Sequence, residues 1–136
     1  MRVLKKASPL EGEEQVTFMR IASLRRFRDG KVRDYLYSVP NTIPFTGKKA
    51  MLSMVRMKAE GLTPGVPDIE CFVAMPPYTG WHGEMKRQDG VPSDVKEHQT
   101  EMMARMTAAG RKCDVGYGAV EMWKKLCEYL KIPVMG

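Results

Sequence analysis

The stretch GWHGEMKRQDG, from Gly80 to Gly90, has the pattern of a strand that runs into a glycine-containing turn. Because alternate side chains of a strand point to the same face, Glu84 and Lys86 should lie side by side while Met85 points the other way. A lone carboxylate and amine at this spacing is most simply a solvated ion pair on a sheet edge. A functional interpretation needs a second acidic group from elsewhere in the chain.

Asp68 supplies that group if the two neighbouring strands form a symmetric hairpin. The pattern predicts strands from residue 68 to 74 and from 80 to 87, joined by a proline-rich connection. A hairpin centred on Pro76 places Asp68 opposite Glu84, with Cβ atoms roughly 5 Å apart. Two opposed carboxylates repel each other, and a divalent cation that prefers oxygen ligands, Mg²⁺ or Mn²⁺, offsets this repulsion.

The rest of the chain predicts helices and strands around this hairpin. Helices are predicted for 11–28, 48–60, 92–109 (with Ser93 as N-cap) and 120–131, and further strands for 35–39 and within 111–118. The order helix, strand, helix, hairpin, helix, strand, helix favours an α/β fold with a mixed sheet and helices packed on it. The 136 residues suit one domain, 1–136, of which residues 1–10 resemble a loose basic arm.

Two helical stripes carry further expectations. Met51, Leu52, Val55 and Ala59 form an apolar stripe that should face the core. Val95, Gln99, Met102 and Met106 form another, so Gln99 is expected to point inward and to need hydrogen-bond partners. Its spacing leaves two interpretations equally open: a satisfied core amide or partly exposed edge of the stripe, or a side chain that returns over the Glu84 strand.

The net charge and the cysteine content limit which binding partners and which cellular compartment are expected for the chain. A net charge of +6 favours anionic partners, nucleic acid first among them. Arg25, Arg26 and Arg28, with Lys48 and Lys49, are candidate phosphate contacts, although each arginine alone fits a solvated helix face. Three cysteines without a C-x-x-C pair predict neither disulfides nor zinc, and Cys127 suits the core. With no signal peptide and no long apolar run, the chain is expected to be soluble, cytoplasmic and free of membrane.

The ordered set of motifs GVPD, HGEMKR, a proline-led helix bearing a glutamine, and GYGAVEMW resembles the VRR-NUC family, the virus-type replication-repair nucleases of the PD-(D/E)xK superfamily. The resemblance begins at EGEEQVTF, continues through YSVPN and KAEGLTPGVPD, and ends at EYL. It implies a restriction-endonuclease-like core of order α-β-β-β-α-β and a magnesium-dependent phosphodiesterase activity.

The resemblance also implies a role for individual residues. It suggests Asp68 and Glu84 as metal carboxylates and the main-chain carbonyl of Met85 as a further ligand. It suggests Lys86 as the catalytic lysine and Gln99 as the glutamine that the family has on this helix. The family also tends to have a glutamate in its first helix, shortly before a glutamine; Glu11, four residues before Gln15, fits this position, and Glu13 and Glu14 compete with it. Glu70 departs from the usual apolar residue and is either an extra ligand or an exposed polar position. His82 shares the face of Glu84, where a general base is one interpretation and a hydrogen-bonded histidine the more common one.

Taken together, these features predict a Mg²⁺- or Mn²⁺-dependent DNA endonuclease encoded by a phage or mobile element. Stand-alone family members of this size resemble Holliday-junction resolvases, which favours branched or supercoiled DNA and a homodimer that makes two symmetric cuts. A nicking or flap nuclease of replication and repair is the alternative within enzymes. A DNA-binding module that keeps the fold without turnover is the alternative outside them.

Overall fold

The computed structural model describes residues 9–40 and 46–136. The helices are α1 (Glu11–Leu24), α2 (Gly47–Ala59), α3 (Glu97–Ala108) and α4 (Ala119–Leu130). The strands are β1 (Arg26–Phe27), β2 (Gly30–Lys31), β3 (Leu36–Ser38), β4 (Ile69–Cys71), β5 (Trp81–Lys86) and β6 (Lys112–Tyr117). The predicted element order and the α-β-β-β-α-β core (α1, β3, β4, β5, α3, β6) are confirmed. The short hairpin β1-β2 was not predicted.

The main sheet has the strand order β3-β4-β5-β6 and is mixed, as predicted. Strands β3, β4 and β5 pair antiparallel, whereas β5 and β6 run parallel, with α3 in the connection between them. In the β4-β5 pair Ile69 faces Gly83, so one further step in this register places Asp68 opposite Glu84. The hairpin centred on Pro76 is therefore confirmed.

The two faces of β5 have different neighbours. Trp81 and Met85 are fully buried in the core, which also contains Phe18 of α1 and Met122 of α4. Gly83 lets α4 approach this face, since a Cβ at that position would lie 2.9 Å from the Met122 sulfur. The alternating side chains of His82, Glu84 and Lys86 therefore point to the opposite face, over which α3 lies.

Helix α1 ends at Leu24, four residues earlier than predicted. Arg25 has extended backbone angles, φ −96° and ψ 120°, and the chain then enters the β1-β2 hairpin, in which Phe27 pairs with Gly30. The Asp29-Gly30 pair that was expected to stop the helix lies in this hairpin: Asp29 forms the two-residue turn with Arg28, whose φ is +52°, and Gly30 begins β2. The arginine cluster consequently does not lie on a helix face.

The stripe of α2 does not face the core, and that expectation is wrong. Met51, Leu52 and Val55 are 61%, 58% and 64% exposed, and no side chain of α2 is buried. Helical periodicity identifies an apolar face without identifying what covers it. Helix α2 instead turns Met54 and Lys58 toward a cavity that it shares with Asp68.

Helix α3 begins at Glu97, five residues later than predicted, because residues Pro92–Asp94 form a separate 3₁₀ turn. The Asp94 carboxylate accepts the main-chain N–H of Val91 at 2.8 Å, which closes that turn. Ser93 is therefore not the N-cap of the helix. Val95 lies before the helix, while Met102 and Met106 remain on its half-buried face.

Three smaller expectations have different outcomes. Cys127 is fully buried with a free thiol, which confirms its place in the core. Residues 1–8 of the predicted N-terminal arm lie outside the described residues, and Pro9 and Leu10 are exposed. Among residues 9–40 and 46–136, no helix combines the length and apolar character required to span a bilayer.

Candidate active site

The two strand carboxylates meet at the end of the β4-β5 pair. Asp68 accepts the main-chain N–H of Met85 at 2.8 Å, measured from N to Oδ2, so the backbone of β5 fixes its position. Glu84 and Lys86 are 2% and 6% exposed. Two charged side chains this deeply buried are rare unless they are paired or serve a site. The sequence placed these three residues correctly, and the amide of Met85 adds a contact that it did not predict.

Gln99 joins the strand residues to α3. Its Nε2 donates to Glu84 Oε1 at 2.9 Å. Its Oε1 accepts from Lys86 Nζ at 3.1 Å and from the main-chain N–H of Lys96 at 2.9 Å. These donors fix which end of the amide points to each strand residue. Of the two interpretations left open by the sequence, the structure selects the side chain that returns over the Glu84 strand.

The surroundings of Glu84 favour its protonated, uncharged form. Burial, followed by the charge of Asp68, raises the pKa of Glu84 from its ordinary 4.5 to about 8, although the ammonium of Lys86 acts in the opposite direction. Lys86 Nζ lies 3.6 Å from Glu84 Oε1. Glu84 Oε2 is buried and has no hydrogen-bond partner within the described part of the chain.

These features fit a divalent cation. The unpartnered Oε2 of Glu84 and the neighbouring Asp68 present hard oxygen donors, which suit Mg²⁺ or Mn²⁺. The described ranges 9–40 and 46–136 hold no cluster of three or more His, Cys, Asp or Glu side chains suited to a metal. Such a site would keep several waters and take further oxygens from a substrate phosphate, as Mg²⁺ sites commonly do.

The three glutamates of α1 have different surroundings. Glu14 is 8% exposed, and its Oε2 accepts the N–H of Ala119 at 2.7 Å, at the start of α4. Glu13 is exposed, and its Oε2 accepts the N–H of Leu10 at 3.3 Å, which caps its own helix. Glu11 is exposed and lines the same cavities as Asp68. Of the three, Glu11 is therefore the one whose surroundings suit a role in the site.

Replacing Glu14 with alanine is expected to lower the free energy of unfolding by about 1–3 kcal/mol, because the buried N–H of Ala119 loses its acceptor. Glu11→Gln, which changes an exposed residue, should leave the unfolding free energy nearly unchanged. Urea unfolding followed by circular dichroism measures both. Equal destabilisation by the two variants would contradict this division of roles.

Three cavities, of about 620, 370 and 440 Å³, meet at Glu11, which lines all of them. Asp68 lines the first, between α1 and β3, and also the second, beside α2 and α3. Glu84 and Gln99 line the second. Lys86 lines the third, at the end of β5. The predicted catalytic side chains therefore lie where three clefts converge.

The predicted phosphate contacts do not gather at this point. Arg25 is half-buried and donates to the carbonyl of Val134 at 3.4 Å. The guanidinium of Arg28 lies 5.2 Å from the centroid of the Phe27 ring. Arg26 in β1 is exposed, as are Lys48 and Lys49 in the first turn of α2, and none of the five lines the three cavities. Their role in DNA binding stays a prediction.

Two further polar residues on the site face have separate surroundings. Glu70 is half-buried; its Oε1 forms an ion pair with Arg111 at 3.0 Å and its Oε2 accepts the hydroxyl of Tyr37, so both carboxylate oxygens have protein partners. His82 is buried, and its Nδ1 has no hydrogen-bond partner among the described residues. Burial lowers the pKa of His82. The expectation that a neighbour would hydrogen-bond this histidine is not met at Nδ1.

Several basic residues outside the five candidate phosphate contacts do line the clefts. Arg20 and Arg33 line the first cavity, and Lys58 and His98 the second. Arg20 lies five residues before Arg25 and in the same basic stretch as the three candidate arginines. No local pattern distinguishes it from them, since the distinction depends on the end of α1 at Leu24.

Comparisons with known proteins address the fold. No family model and no curated protein matches the sequence. A solved structure titled "VRR_NUC domain protein" superposes with a TM-score of 0.77, covering 95% of this chain and 93% of that chain, at 21% identity. Similarity at this level of identity concerns architecture. The chain therefore has the fold of a VRR_NUC domain protein, as the motifs of its sequence predicted.

Proposed function

We propose that this protein is a metal-dependent DNA endonuclease that hydrolyses phosphodiester bonds and prefers branched DNA. One observation carries the proposal: the buried carboxylate of Glu84, with its unpartnered Oε2, lies among Asp68, Lys86 and Gln99 at the convergence of three clefts. A site built only for stability would not be expected to bury a carboxylate beside a second carboxylate while one of its oxygens has no hydrogen-bond partner among the described residues. The shared fold with a VRR_NUC domain protein supports the same class of activity.

The residues of the chain divide the work of the reaction. Asp68 and Glu84 would hold the cation, with the Met85 carbonyl as the further ligand that the family resemblance implies. When bound, the cation supplies Lewis acidity, which polarises a phosphate oxygen and lowers the pKa of a coordinated water. Lys86 positions the attacking water or neutralises charge that develops on the phosphate. Few water molecules screen the charge of its ammonium, because Lys86 is 6% exposed.

Gln99 acts through Glu84 and Lys86 and is a positioning residue. Its amide donates to the carboxylate and accepts from the ammonium, which holds the two groups in a defined arrangement. Glu11, at the junction of the clefts, is placed to face the same substrate phosphate or its water. Neither residue is required to change protonation state for these roles.

The cavities around the site support the proposed preference for branched DNA. A uniform duplex needs one binding surface, whereas Glu11 lines three separate cavities, which leaves space beside the site for more than one DNA arm. A junction also calls for paired cuts, so the proposal includes a homodimer with isologous symmetry. A nicking or flap nuclease remains the second candidate, since a fork also presents three arms.

A cleavage assay tests the proposed activity. The purified protein is incubated with supercoiled plasmid, linear duplex and a four-way junction, each with Mg²⁺, Mn²⁺ or EDTA. Cleavage that requires the cation and is fastest on the junction is expected. Binding without cleavage on every substrate would favour the non-catalytic module, and equal rates on linear duplex and junction would contradict the preference for branches.

Metal binding is expected to release a proton at neutral pH. With the pKa of Glu84 at about 8, this carboxyl is mostly protonated at pH 7 and must ionise to bind a cation. The apparent affinity for Mn²⁺ should rise by up to about tenfold per pH unit and level off above pH 8. Calorimetry in buffers of different ionisation enthalpy measures the released protons. A pH-independent affinity between pH 6 and 8 would contradict an ionising ligand.

A further inference from the structure

The cavity between α1 and the edge strand β3 has a composition that the catalytic chemistry does not require. It measures about 620 Å³ and reaches Asp68 and Glu11 at the site. Its apolar lining residues are Val16, Met19, Val39 and Pro40, its uncharged polar ones Gln15, Ser23 and Ser38, and its cations Arg20 and Arg33. We call this cavity the α1-β3 groove.

The charges of the α1-β3 groove are distributed unevenly along it. Both acidic residues that line it, Glu11 and Asp68, belong to the site. Arg20 follows Glu11 by nine residues on α1, which is about 13.5 Å along a helix that rises 1.5 Å per residue. At the B-form rise of 3.4 Å per nucleotide this length corresponds to about four nucleotides, and to fewer in a stretched strand. Arg20 therefore lies within reach of a strand whose phosphate is at the site.

The two arginines suit phosphate binding. Arg20 is exposed and makes no ion pair within residues 9–40 and 46–136. Arg33 donates from Nη1 to the carbonyl of Leu36 at 3.0 Å, which ties its guanidinium to β3 and uses one of the several N–H donors that a guanidinium carries. A guanidinium held in place by one hydrogen bond loses less side-chain entropy when it binds a phosphate.

The combination of apolar and cationic side chains in the groove suits a single DNA strand better than a duplex. The outside of a duplex offers phosphates and sugars, whereas an unpaired strand also exposes its bases to apolar contacts. Apolar side chains such as Val16 and Met19 beside the cation of Arg20 match the second case. A surface that followed only duplex phosphates would have no use for the apolar residues.

We propose that the α1-β3 groove binds the unpaired DNA strand that continues from the scissile phosphate, with Arg20 and Arg33 contacting its phosphates. This inference rests on the proposed function for the position of that phosphate. Among branched DNAs it favours the second candidate, a flap or fork with a single-stranded arm beside the cut, because a fully paired four-way junction has no unpaired strand.

Binding in EDTA, where no cleavage occurs, tests the groove. Fluorescence anisotropy compares a duplex that carries a single-stranded arm with a fully paired duplex of equal length, over a range of salt concentrations. Arg20→Ala should weaken binding of the armed DNA several-fold and reduce its salt slope by about 0.7, the value for one phosphate contact on a single strand. Arg20→Lys should recover part of the affinity, because charge is kept without the planar fork.

Lys124→Ala is the matched control, since it removes one exposed positive charge from α4, away from the groove. Lys124→Ala should leave the difference between armed and paired DNA unchanged. If Arg20→Ala weakens the binding of armed and paired DNA equally, or weakens neither, the proposed role of the groove is wrong. A wild-type protein that binds both substrates equally would overturn it as well.

Cleavage of supercoiled plasmid by the same preparations separates this result from the proposed function. If the wild type cleaves plasmid and Arg20→Ala binds armed DNA as well as the wild type does, the proposed nuclease activity stands and the proposed role of the groove is wrong. A protein that never cleaves but needs Arg20 for armed DNA retains the groove as a binding site and loses the nuclease.

Discussion

Glu84→Gln is expected to abolish DNA cleavage, with a loss of at least about 10³-fold in rate, while the protein still binds DNA. The substitution keeps the shape of the side chain and an oxygen that can accept from Gln99, but it removes the charge that would hold a cation. Electrostatic stabilisation worth several kcal/mol disappears with that cation, and each 1.36 kcal/mol of barrier corresponds to tenfold in rate. DNA affinity without metal should stay about equal at pH 7, where this carboxyl is mostly protonated, and should increase above pH 8, where the variant lacks the negative charge that the wild type carries near the phosphates.

The same variant should be more stable than wild type in the absence of metal. The pKa of Glu84 is about 8 in the folded protein and 4.5 in its ordinary state, so folding favours the protonated form. Wild-type stability therefore falls as the pH rises from about 4.5 to about 8, and Glu84→Gln does not share this loss. At pH 7 the difference is on the order of 3 kcal/mol, at 1.36 kcal/mol per pKa unit. Thermal unfolding in EDTA at pH 5 and pH 8 measures it.

Asp68→Asn is the companion variant. Its amide oxygen can still accept the N–H of Met85, whereas Asp68→Ala would leave that buried amide without a partner and would confound activity with stability. Both Glu84→Gln and Asp68→Asn should lose the calorimetric signal of Mn²⁺ binding. Undiminished cleavage by either one would remove that carboxylate from the site.

Local patterns were sufficient for the part of the site that lies on one hairpin. The period of two along 80–87 and the symmetry about Pro76 placed Glu84, Lys86 and Asp68 on one face, and the β4-β5 register agrees. A strand pairing is set by short-range spacing, so few alternatives compete. Gln99 was harder, because helical spacing identifies an inward face but not the residue that the face meets.

The expectations that failed depend on long-range packing. The apolar stripe of α2 was expected to face the core, yet Met51 is 61% exposed. The helical period of a sequence identifies an apolar face, but it does not identify which element packs against that face. The choice among the glutamates of α1 depended on Ala119, 105 residues after Glu14. Arg20 could not be separated from Arg25 without the end of α1, which a local propensity locates only to within a few residues.

Lys86→Ala is expected to lower the rate of cleavage by about 10²–10³-fold while Mn²⁺ still binds. Lys86 Nζ contacts Gln99 and Glu84 but is not itself a metal ligand, so its loss acts on the phosphate and the water. Without this ammonium the carboxylates should hold the cation at least as tightly, because a competing positive charge is gone. Single-turnover kinetics and calorimetry on the same preparation separate the two effects.

Gln99→Ala serves as the comparison for Lys86→Ala. It removes hydrogen bonds but no charge, so the loss in rate should be smaller, with some loss of stability from the freed N–H of Lys96 and the altered setting of Lys86. Loss of Mn²⁺ binding in Lys86→Ala would show that the lysine maintains the metal site and has no separate part in the chemistry.

Lys86→Arg distinguishes a positioned group from a simple counter-ion. Arginine keeps the positive charge beside Glu84, but its planar guanidinium is bulkier and needs a different arrangement of acceptors from the compact ammonium. Lys86 is 6% exposed and its Nζ lies 3.1 Å from Gln99 Oε1, so the larger head group has little room and should displace the amide. Activity should therefore stay close to that of Lys86→Ala. Full activity in Lys86→Arg would mean that charge alone suffices and that the exact position of the ammonium does not matter.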